Sequence, residues 1–206
     1  IGTGACGPGI FPTPDLLALV AAAEAAGAVI VVDEAFIDFI EEASLKKDLA
    51  QFPRLLLLRS LTKCFALPGL RVGYALGSSD LLARLSRWMG PWSVNALAEA
   101  AGIAALADRE YQESFRLLVP RWRENLQSGL QKFGQFRVFP GAANYLLVRL
   151  LDPGLSAPVL KARLLKERIA IRDCSSFRGL GPAFIRLAVR RPEEHQLLVG
   201  ALARCL

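Results

Sequence analysis

Hydrophobic positions in the first half of the chain alternate between helical spacing and short, wholly apolar runs. A helix is predicted to begin near Pro14, which suits a first turn, and to end at Gly27. Residues 28–32 form a wholly apolar run, which is typical of a strand buried in a parallel sheet, and residues 54–59 and 71–77 predict two more core strands. Apolar residues spaced three and four apart predict further helices over 78–89, 93–107 and 109–132. The alternation predicts an α/β fold containing part of a doubly wound, parallel-type sheet.

The second half of the chain has a different pattern, in which short strands outnumber helices. Strands are predicted at residues 136–139, 144–150, 169–172 and 184–189. One helix is predicted over 156–168, and a last one begins at Pro192, with two acids in its first turn as the helix dipole prefers. The change predicts two domains, a partial large domain in residues 1–107 and a small α+β domain in residues 108–206.

Length and hydropathy limit the classes of protein to consider. The chain has 206 residues, 53% of them hydrophobic, and a mean hydropathy of +0.34. Each apolar run is shorter than the roughly 20 residues that cross a bilayer. The first residues also lack the basic region of a secretory leader. We therefore expect no membrane partner and a location in the cytoplasm.

Charge and the few metal-binding side chains narrow the classes further. The net charge is +6, but the arginines are spread along the chain, which argues against a nucleic-acid partner and favours anionic small molecules. The four cysteines form no C-x-x-C pair, as in proteins with reduced thiols. His195 is the single histidine, so we expect no metal site.

The segment Gly2-Thr3-Gly4-Ala5-Cys6-Gly7 matches the glycine pattern of dinucleotide-binding proteins. That pattern requires a strand before the glycines and a helix after them. No strand precedes this one, and prolines at positions 8, 12 and 14 prevent a helix from beginning at Gly7. A nicotinamide or flavin site is therefore not expected here.

Candidate chemistry is concentrated around Lys63. An amine that can form a Schiff base lies between two apolar runs, with hydroxyls at Ser60 and Thr62 and a guanidinium at Arg71. Hydroxyls with an arginine suit a phosphate ester. Asp33 ends an earlier predicted strand, at the edge where open α/β sheets bind ligands. These groups together are those that pyridoxal phosphate chemistry requires.

The motifs D-E-A-F (33–36), S-x-T-K (60–63) and G-L-R-x-G (69–73) resemble those of fold-type I pyridoxal-phosphate enzymes of the class I/II aminotransferase superfamily. The resemblance covers essentially the whole chain and implies that residues 1–107 belong to the cofactor-binding domain. It implies that Lys63 binds the pyridoxal 5'-phosphate aldehyde and that Asp33 pairs with the ring nitrogen. The phosphate would be held by Ser60, Thr62 and Arg71.

Two branches of this superfamily are similar to the chain. Histidinol-phosphate aminotransferases usually carry tyrosine, which bonds the cofactor oxygen, where this chain has Phe36. The segments P-W-S-V-N-A-L (91–97) and I-R-D-C (171–174) resemble threonine-phosphate decarboxylases, which act in cobalamin biosynthesis and make aminopropanol phosphate. That resemblance implies that Arg172 and Arg186 bind the acidic end of a phosphorylated amino acid. Asn144 matches an asparagine near the site, where packing is an equally good role.

The chain resembles only the C-terminal part of these enzymes, which act as homodimers. We therefore expect residues 1–206 alone to bind the cofactor weakly and to turn over little substrate. Three functions remain open for the whole protein: a decarboxylase of L-threonine O-3-phosphate, a transaminase, or a non-catalytic remnant that binds a partner. Residue types and spacing do not separate the first two, because those reactions differ by a rotation of the substrate.

Overall fold

The computed structural model describes residues 11–206, so the glycine motif at 2–7 lies outside the described residues. The described chain divides into two compact units, one ending at Arg116 and one comprising Leu117–Leu206. The division falls within a long helix. The predicted domain boundary at residues 107 and 108 lies just before that helix and stays a prediction.

The first unit contains a three-stranded sheet with helices before and after it. Its strands are β1 (Ile30–Asp33), β2 (Leu55–Ser60) and β3 (Gly73–Leu76). Two 3-10 helices, Ile37–Ala43 and Leu45–Asp48, join β1 to β2 and were not predicted. The α-helices of this part of the chain are α1 (Thr13–Ala25), α2 (Ser79–Ser86), α3 (Ala96–Ala107) and α4 (Arg109–Gln131), which continues into the second unit.

The first sheet has the order β1-β2-β3 and is mixed. β1 and β2 are parallel, with Asp33 opposite Leu58, whereas β3 is antiparallel to β2, with Gly73 opposite Ser60. The α/β class is confirmed, but the third strand does not continue a parallel arrangement. The reason is the connection: no helix between β2 and β3 carries the chain back for a parallel return.

One face of this sheet forms the core of the unit. Val32, Leu55 and Leu57 are fully buried there and pack with Leu16 and Val20 of α1. The other face is only partly covered: Val31 is 39% exposed and Leu58 is 38% exposed. The prediction of strands buried on both faces was therefore wrong for this face within the described residues.

The second unit contains a wholly antiparallel sheet of four strands. The order is β4-β5-β7-β6, with β4 (Phe136–Val138), β5 (Tyr145–Leu150), β6 (Arg172–Asp173) and β7 (Phe184–Ala188). Its buried residues include Leu146, Val148, Ile185 and Leu187. The remaining helices are α5 (Ala157–Lys166), which packs against the last helix, and α6 (Pro192–Cys205).

The strand predicted at residues 169–172 is shorter than expected and begins only at Arg172. Arg168 adopts a φ of 61°, which ends α5, and the N–H of Ile169 bonds to the carbonyl of Leu164. The apolar residues after Arg168 therefore close the helix instead of pairing in the sheet. Among the described residues, no helix combines the length and the apolar character needed to cross a membrane.

Candidate functional site

The carboxyl ends of β1 and β2 meet at one edge of the first sheet, where Asp33 and Ser60 are the last residues of their strands. The Asp33 side chain is exposed, and its Oδ1 accepts a hydrogen bond from the N–H of Ala35 at 2.9 Å. Strand alternation places Asp33 and Ser60 on the same face. Both residues therefore lie at the carboxyl edge of the parallel pair, where open α/β sheets generally bind ligands.

Lys63 lies in the turn that follows β2, and its side chain is exposed. The ammonium nitrogen is 5.3 Å from the centroid of the Phe36 ring, a cation–π contact. Phe36 lies three residues after Asp33, in the loop that follows β1. The contact therefore brings the Lys63 amine to the loop that begins at Asp33. An exposed amine beside one aromatic ring is accessible to a small molecule.

The hydroxyls of Ser60 and Thr62 are 2.7 Å apart and share a hydrogen bond. Arg71 is exposed just before β3, and its guanidinium donates to the carbonyl of Pro68 at 3.2 Å. The backbone links the two sides of this loop, because the N–H of Leu61 bonds to the carbonyl of Val72. The structure thus joins the two hydroxyls directly and places Arg71 at the other side of the same loop.

The loop between β2 and β3 contains two non-glycine residues in the left-handed region, Ala66 with φ 53° and Arg71 with φ 51°. Such conformations persist only where surrounding contacts hold them. Here the hydroxyl of Tyr111 donates to the carbonyl of Cys64 at 2.7 Å, and Phe65 packs on the Tyr111 and Phe115 rings of α4. The loop that carries Lys63 is therefore anchored from the adjoining helix.

Gly73, the first residue of β3, allows a close backbone approach. A Cβ at this position would lie 2.4 Å from the carbonyl oxygen of Arg59. A side chain would therefore push β3 away from the end of β2, where Ser60 lies.

A buried ionic cluster, which sequence reasoning missed, lies at the same edge. It consists of Arg59, Glu34, Asp38, Glu41 and Ser44, and we refer to it as the Arg59 cluster. The Arg59 Nε is 2.8 Å from Glu34 Oε2, a close ion-pair contact without hydrogen-bond alignment. Its NH1 donates to Asp38 at 3.2 Å and Glu41 at 2.9 Å, and its NH2 donates to Ser44 Oγ at 2.7 Å. The available signals were an arginine within an apolar strand and an acid directly after Asp33.

Burial and charge act in opposite directions within the Arg59 cluster. Burial raises the pKa of Asp38, partly offset by the Arg59 charge. Burial opposes ionisation of Glu41 as well, but hydrogen bonds from Arg59 and Lys46 lower its pKa overall. For the neighbouring Cys64 thiol, burial and the Asp38 charge both raise the pKa. Cys64 is therefore a protonated structural thiol, not a nucleophile.

The two predicted substrate arginines both lie in the second unit. Arg172 of β6 is directly opposite Arg186 of β7. Arg186 stacks over the Tyr145 ring at 4.9 Å, and Arg172 stacks over Phe177 at 5.2 Å and donates to Ser176. Like charges opposite each other destabilise a sheet. Over residues 11–206 neither guanidinium has an acidic partner in an ion pair, so the pair suits an external anion.

Asn144 immediately precedes β5, and its carbonyl accepts the N–H of Val189 at 2.8 Å. Val189 follows β7, the strand that carries Arg186. Asn144 is therefore positioned at the end of the β5–β7 pair, and its side chain is half-buried. The structure gives its backbone a role in closing the sheet, and a role for its amide stays a prediction.

Comparisons with known proteins agree with the motifs. Residues 9–202 match the family described as Aminotransferase class I and II. Threonine-phosphate decarboxylase of Salmonella typhimurium is 40% identical over 179 residues, which are 86% of this chain and 48% of that protein. The chain therefore spans about half the length of this curated relative.

Solved structures agree with the fold. The histidinol-phosphate aminotransferase of Clostridium acetobutylicum superposes with a TM-score of 0.91 at 32% identity, covering 98% of this chain and 61% of that one. The Sinorhizobium meliloti enzyme of the same name, in complex with pyridoxal-5'-phosphate, has a TM-score of 0.86 at 24% identity, covering 98% and 54%. With the family match over nearly all its residues, the chain belongs to the class I and II aminotransferases.

Proposed function

We propose that the protein containing this chain uses pyridoxal 5'-phosphate to decarboxylate L-threonine O-3-phosphate to aminopropanol phosphate, in cobalamin biosynthesis. The observation that carries the proposal is the meeting of Asp33, Ser60 and the Lys63 loop at the carboxyl edge of β1 and β2. The resemblance to threonine-phosphate decarboxylases, including 40% identity to the Salmonella typhimurium protein, supports this reaction among those of the family.

The donor set fits this cofactor. Ser60 and Thr62 present hydrogen-bonded hydroxyls, and with Arg71 they would hold the phosphate. Lys63 presents an exposed amine for the aldehyde, next to the ring of Phe36. Asp33 presents a carboxylate for the pyridine nitrogen. When bound, the cofactor withdraws electrons from the α-carbon of an amino acid.

The residues of the chain then orient the substrate and move one proton. Arg172 and Arg186 hold the acidic end of the substrate, and Asn144 is a further contact at the end of the same sheet. For decarboxylation they would have to hold the substrate carboxylate in the orientation that allows its bond to the α-carbon to break. Carbon dioxide leaves with that bond broken, and the Lys63 ammonium donates a proton to the α-carbon. Asp33 would lie against the pyridine nitrogen and balance its positive charge.

The assignment of Lys63 is tested by borohydride reduction of the cofactor-loaded whole protein, followed by peptide mapping. We expect the label at Lys63, and we expect Lys63→Ala to retain no covalent label and no measurable activity. Lys47 is also an exposed lysine of the first unit, so Lys47→Ala is the matched control. A label elsewhere would refute the assignment, and unchanged activity of Lys63→Ala would favour the non-catalytic remnant.

The second candidate function is a histidinol-phosphate-type aminotransferase, favoured by the 0.91 TM-score of the Clostridium acetobutylicum enzyme. Phe36 argues against it, because those enzymes usually have tyrosine there. Here Lys63 would remove the α-proton instead of supplying one. Release of carbon dioxide from threonine phosphate without 2-oxoglutarate supports the decarboxylase, and consumption of 2-oxoglutarate with histidinol phosphate supports the aminotransferase.

We also propose that the whole protein is a cytoplasmic homodimer whose ligands are small phosphorylated amino acids, not nucleic acid or membrane. Support for a protein interface comes from α3 and the segment before it, where Trp88 is 90% exposed, Trp92 94% and Leu97 76%. The free thiols Cys64 and Cys174 suit a reducing compartment. Sedimentation of Trp92→Ser tests the interface, since we expect dissociation to monomers, and an unchanged dimer would exclude this surface.

A further inference from the structure

The Arg59 cluster lies on the face of the sheet opposite Asp33 and Ser60. We propose that Arg59 and Glu34 are positioning residues, which hold Asp33 and the 60–63 turn in the arrangement that the cofactor needs. This inference rests on the proposed function. It assigns no contact with cofactor or substrate to either residue, because both are buried, Glu34 at 0% exposure and Arg59 at 5%.

Each of three candidate cofactor residues has a buried neighbour in the chain that belongs to this cluster or contacts it. The pairs are Asp33 with Glu34, Ser60 with Arg59, and Lys63 with Cys64. Successive side chains of an extended segment point to opposite faces. At the two strand ends the chain therefore directs Asp33 and Ser60 to the accessible edge and Glu34 and Arg59 to the interior, so that fixing the inner residue restrains the outer one. In the turn after β2, Lys63 is exposed and Cys64 is buried.

Glu34 is held at both carboxylate oxygens. Ser44 Oγ donates to Oε2 at 2.9 Å, and the N–H of Leu45 donates to Oε1 at 3.0 Å. The Glu34 N–H also bonds to the carbonyl of Leu58 at 2.8 Å, which extends the β1–β2 pairing past Asp33. The residue after Asp33 is thus fixed through its backbone and its side chain.

Arg59 fixes the other strand end. Its planar guanidinium contacts three carboxylates and the Ser44 hydroxyl, and these links join residues 15, 18, 21 and 25 positions apart. Asp38 also interacts electrostatically with the buried Cys64 thiol, the residue next to Lys63 in the turn. By contrast, the bonds of Asp33 to Ala35 and of Ser60 to Thr62 span two residues each. The Arg59 cluster therefore connects distant parts of the chain at this edge, whereas these bonds of Asp33 and Ser60 connect residues only two positions apart.

The experiment compares three variants of the whole protein. Arg59→Met removes the guanidinium, and Ser44→Ala removes the hydroxyl shared by Arg59 and Glu34 with little change in volume. Arg54→Met is the matched control, because Arg54 pairs with Glu24 at 2.5 Å near the opposite end of β2. Each variant is titrated with pyridoxal phosphate by absorbance below its unfolding transition, and the midpoint pH of the absorbance change of the bound cofactor is measured.

We expect Arg59→Met to bind the cofactor at least about tenfold more weakly and to shift the midpoint pH, as loss of outer contacts does at metal sites. Ser44→Ala should show a smaller change in the same direction, and Arg54→Met none. Wild-type affinity and midpoint in folded Arg59→Met would overturn the inference. If Arg59→Met does not fold, the same result in Ser44→Ala overturns it. Failure of the wild type to bind the cofactor would refute the proposed function instead.

Discussion

Two groups of arginines in this chain have opposite surroundings. In the first unit Arg59 is buried among Glu34, Asp38 and Glu41 and contacts all three carboxylates. In the second unit Arg172 and Arg186 are opposite each other on adjacent strands, and neither forms an ion pair with an acid of the described residues. The first guanidinium has its partners within the fold, whereas the other two stack on aromatic rings.

This difference separates structural charge from charge that is available to a ligand. A buried arginine with three carboxylates stabilises the fold only while its partners remain, since an unpaired buried charge is costly. Two arginines opposite each other, with no ion pair to an acid, destabilise their sheet slightly. An anion bound between them would remove this repulsion and stabilise the sheet. Substitution should therefore lower the free energy of unfolding in the first case, and in the second case it should weaken ligand binding without that loss of stability.

The largest expected effect is on the stability of Arg59→Met. Removal of one member of a buried ion pair costs about 3–5 kcal/mol, because the remaining carboxylates stay buried without their partner. The measurement is the free energy of unfolding from denaturant titration. In the double variant Glu34→Met/Arg59→Met part of this loss should be recovered. The exposed pair of Arg54 provides the control, with a loss of at most about 1 kcal/mol for Arg54→Met.

Arg186→Gln tests the other side of the comparison. Loss of a charged contact to the substrate should lower kcat/KM for threonine phosphate by about 100-fold, on the order of 3 kcal/mol. The free energy of unfolding should not fall, because one like-charge repulsion is removed. Arg149, which is opposite Arg137 in the same sheet, is the matched control, and Arg149→Gln should leave kcat/KM unchanged. A marked loss of stability in Arg186→Gln would mean that this arginine is structural.

His195 is a buried polar group of the second unit that is satisfied only in its neutral form. Its Nε2 accepts the N–H of Arg190 at 2.9 Å, so its Nδ1–H donates to Asn125 Oδ1 at 3.0 Å. Burial lowers the His195 pKa, against the opposing charges of Glu194 and Glu193. The unfolded chain thus binds the proton more tightly, so this stabilisation is present above about pH 6.5 and is lost as the pH falls below it.

We therefore expect acidification below about pH 6.5 to lower the free energy of unfolding, on the order of 1 kcal/mol from this group. The measurement is the midpoint of denaturant unfolding as a function of pH. His195→Phe should be less stable than the wild type at pH 8 and should lack this part of the pH dependence. An identical pH dependence in both proteins would contradict the assignment of the neutral imidazole.

The smallest expected effect is at Phe36, which contacts Lys63 without a hydrogen-bonding group. Phe36→Tyr adds a hydroxyl that can bond the cofactor oxygen and stabilise its anionic form. The midpoint of the pH-dependent absorbance of the bound cofactor should therefore move to lower pH, by about one unit or less. No change would show that the ring does not approach the cofactor oxygen.

Strongly periodic segments were predicted well from the sequence. The helices α3, α4 and α6 and the strands β2 and β5 have apolar positions whose spacing decides their type. The direction of β3 was not predictable, because four residues, Gly73–Leu76, have the same pattern in a parallel or an antiparallel pair. The two 3-10 helices between β1 and β2 were missed because their acids resemble those of an exposed loop.

The candidate site shows the same limit. The candidate site residues of the first unit lie in two short motifs, at 33–36 and 60–63, that are visible in the sequence. The apolar runs before Asp33 and Ser60 also predict that both residues end strands. The Arg59 cluster depends on contacts between residues 10 to 25 positions apart, which no local pattern encodes. The burial of its acids was not predicted, because acidic residues are usually exposed and the sequence does not distinguish the few that are buried.

At the ends of β1 and β2, successive side chains point alternately to solvent and to the interior. This alternation also determines which insertions and deletions the protein tolerates. Insertion or deletion of one residue immediately before Asp33 or Ser60 would exchange the two faces. Glu34 would then reach water while an uncompensated carboxylate entered the core, and Arg59 would lose its partners. Engineered or natural variants should accordingly keep the residue count of these two segments constant.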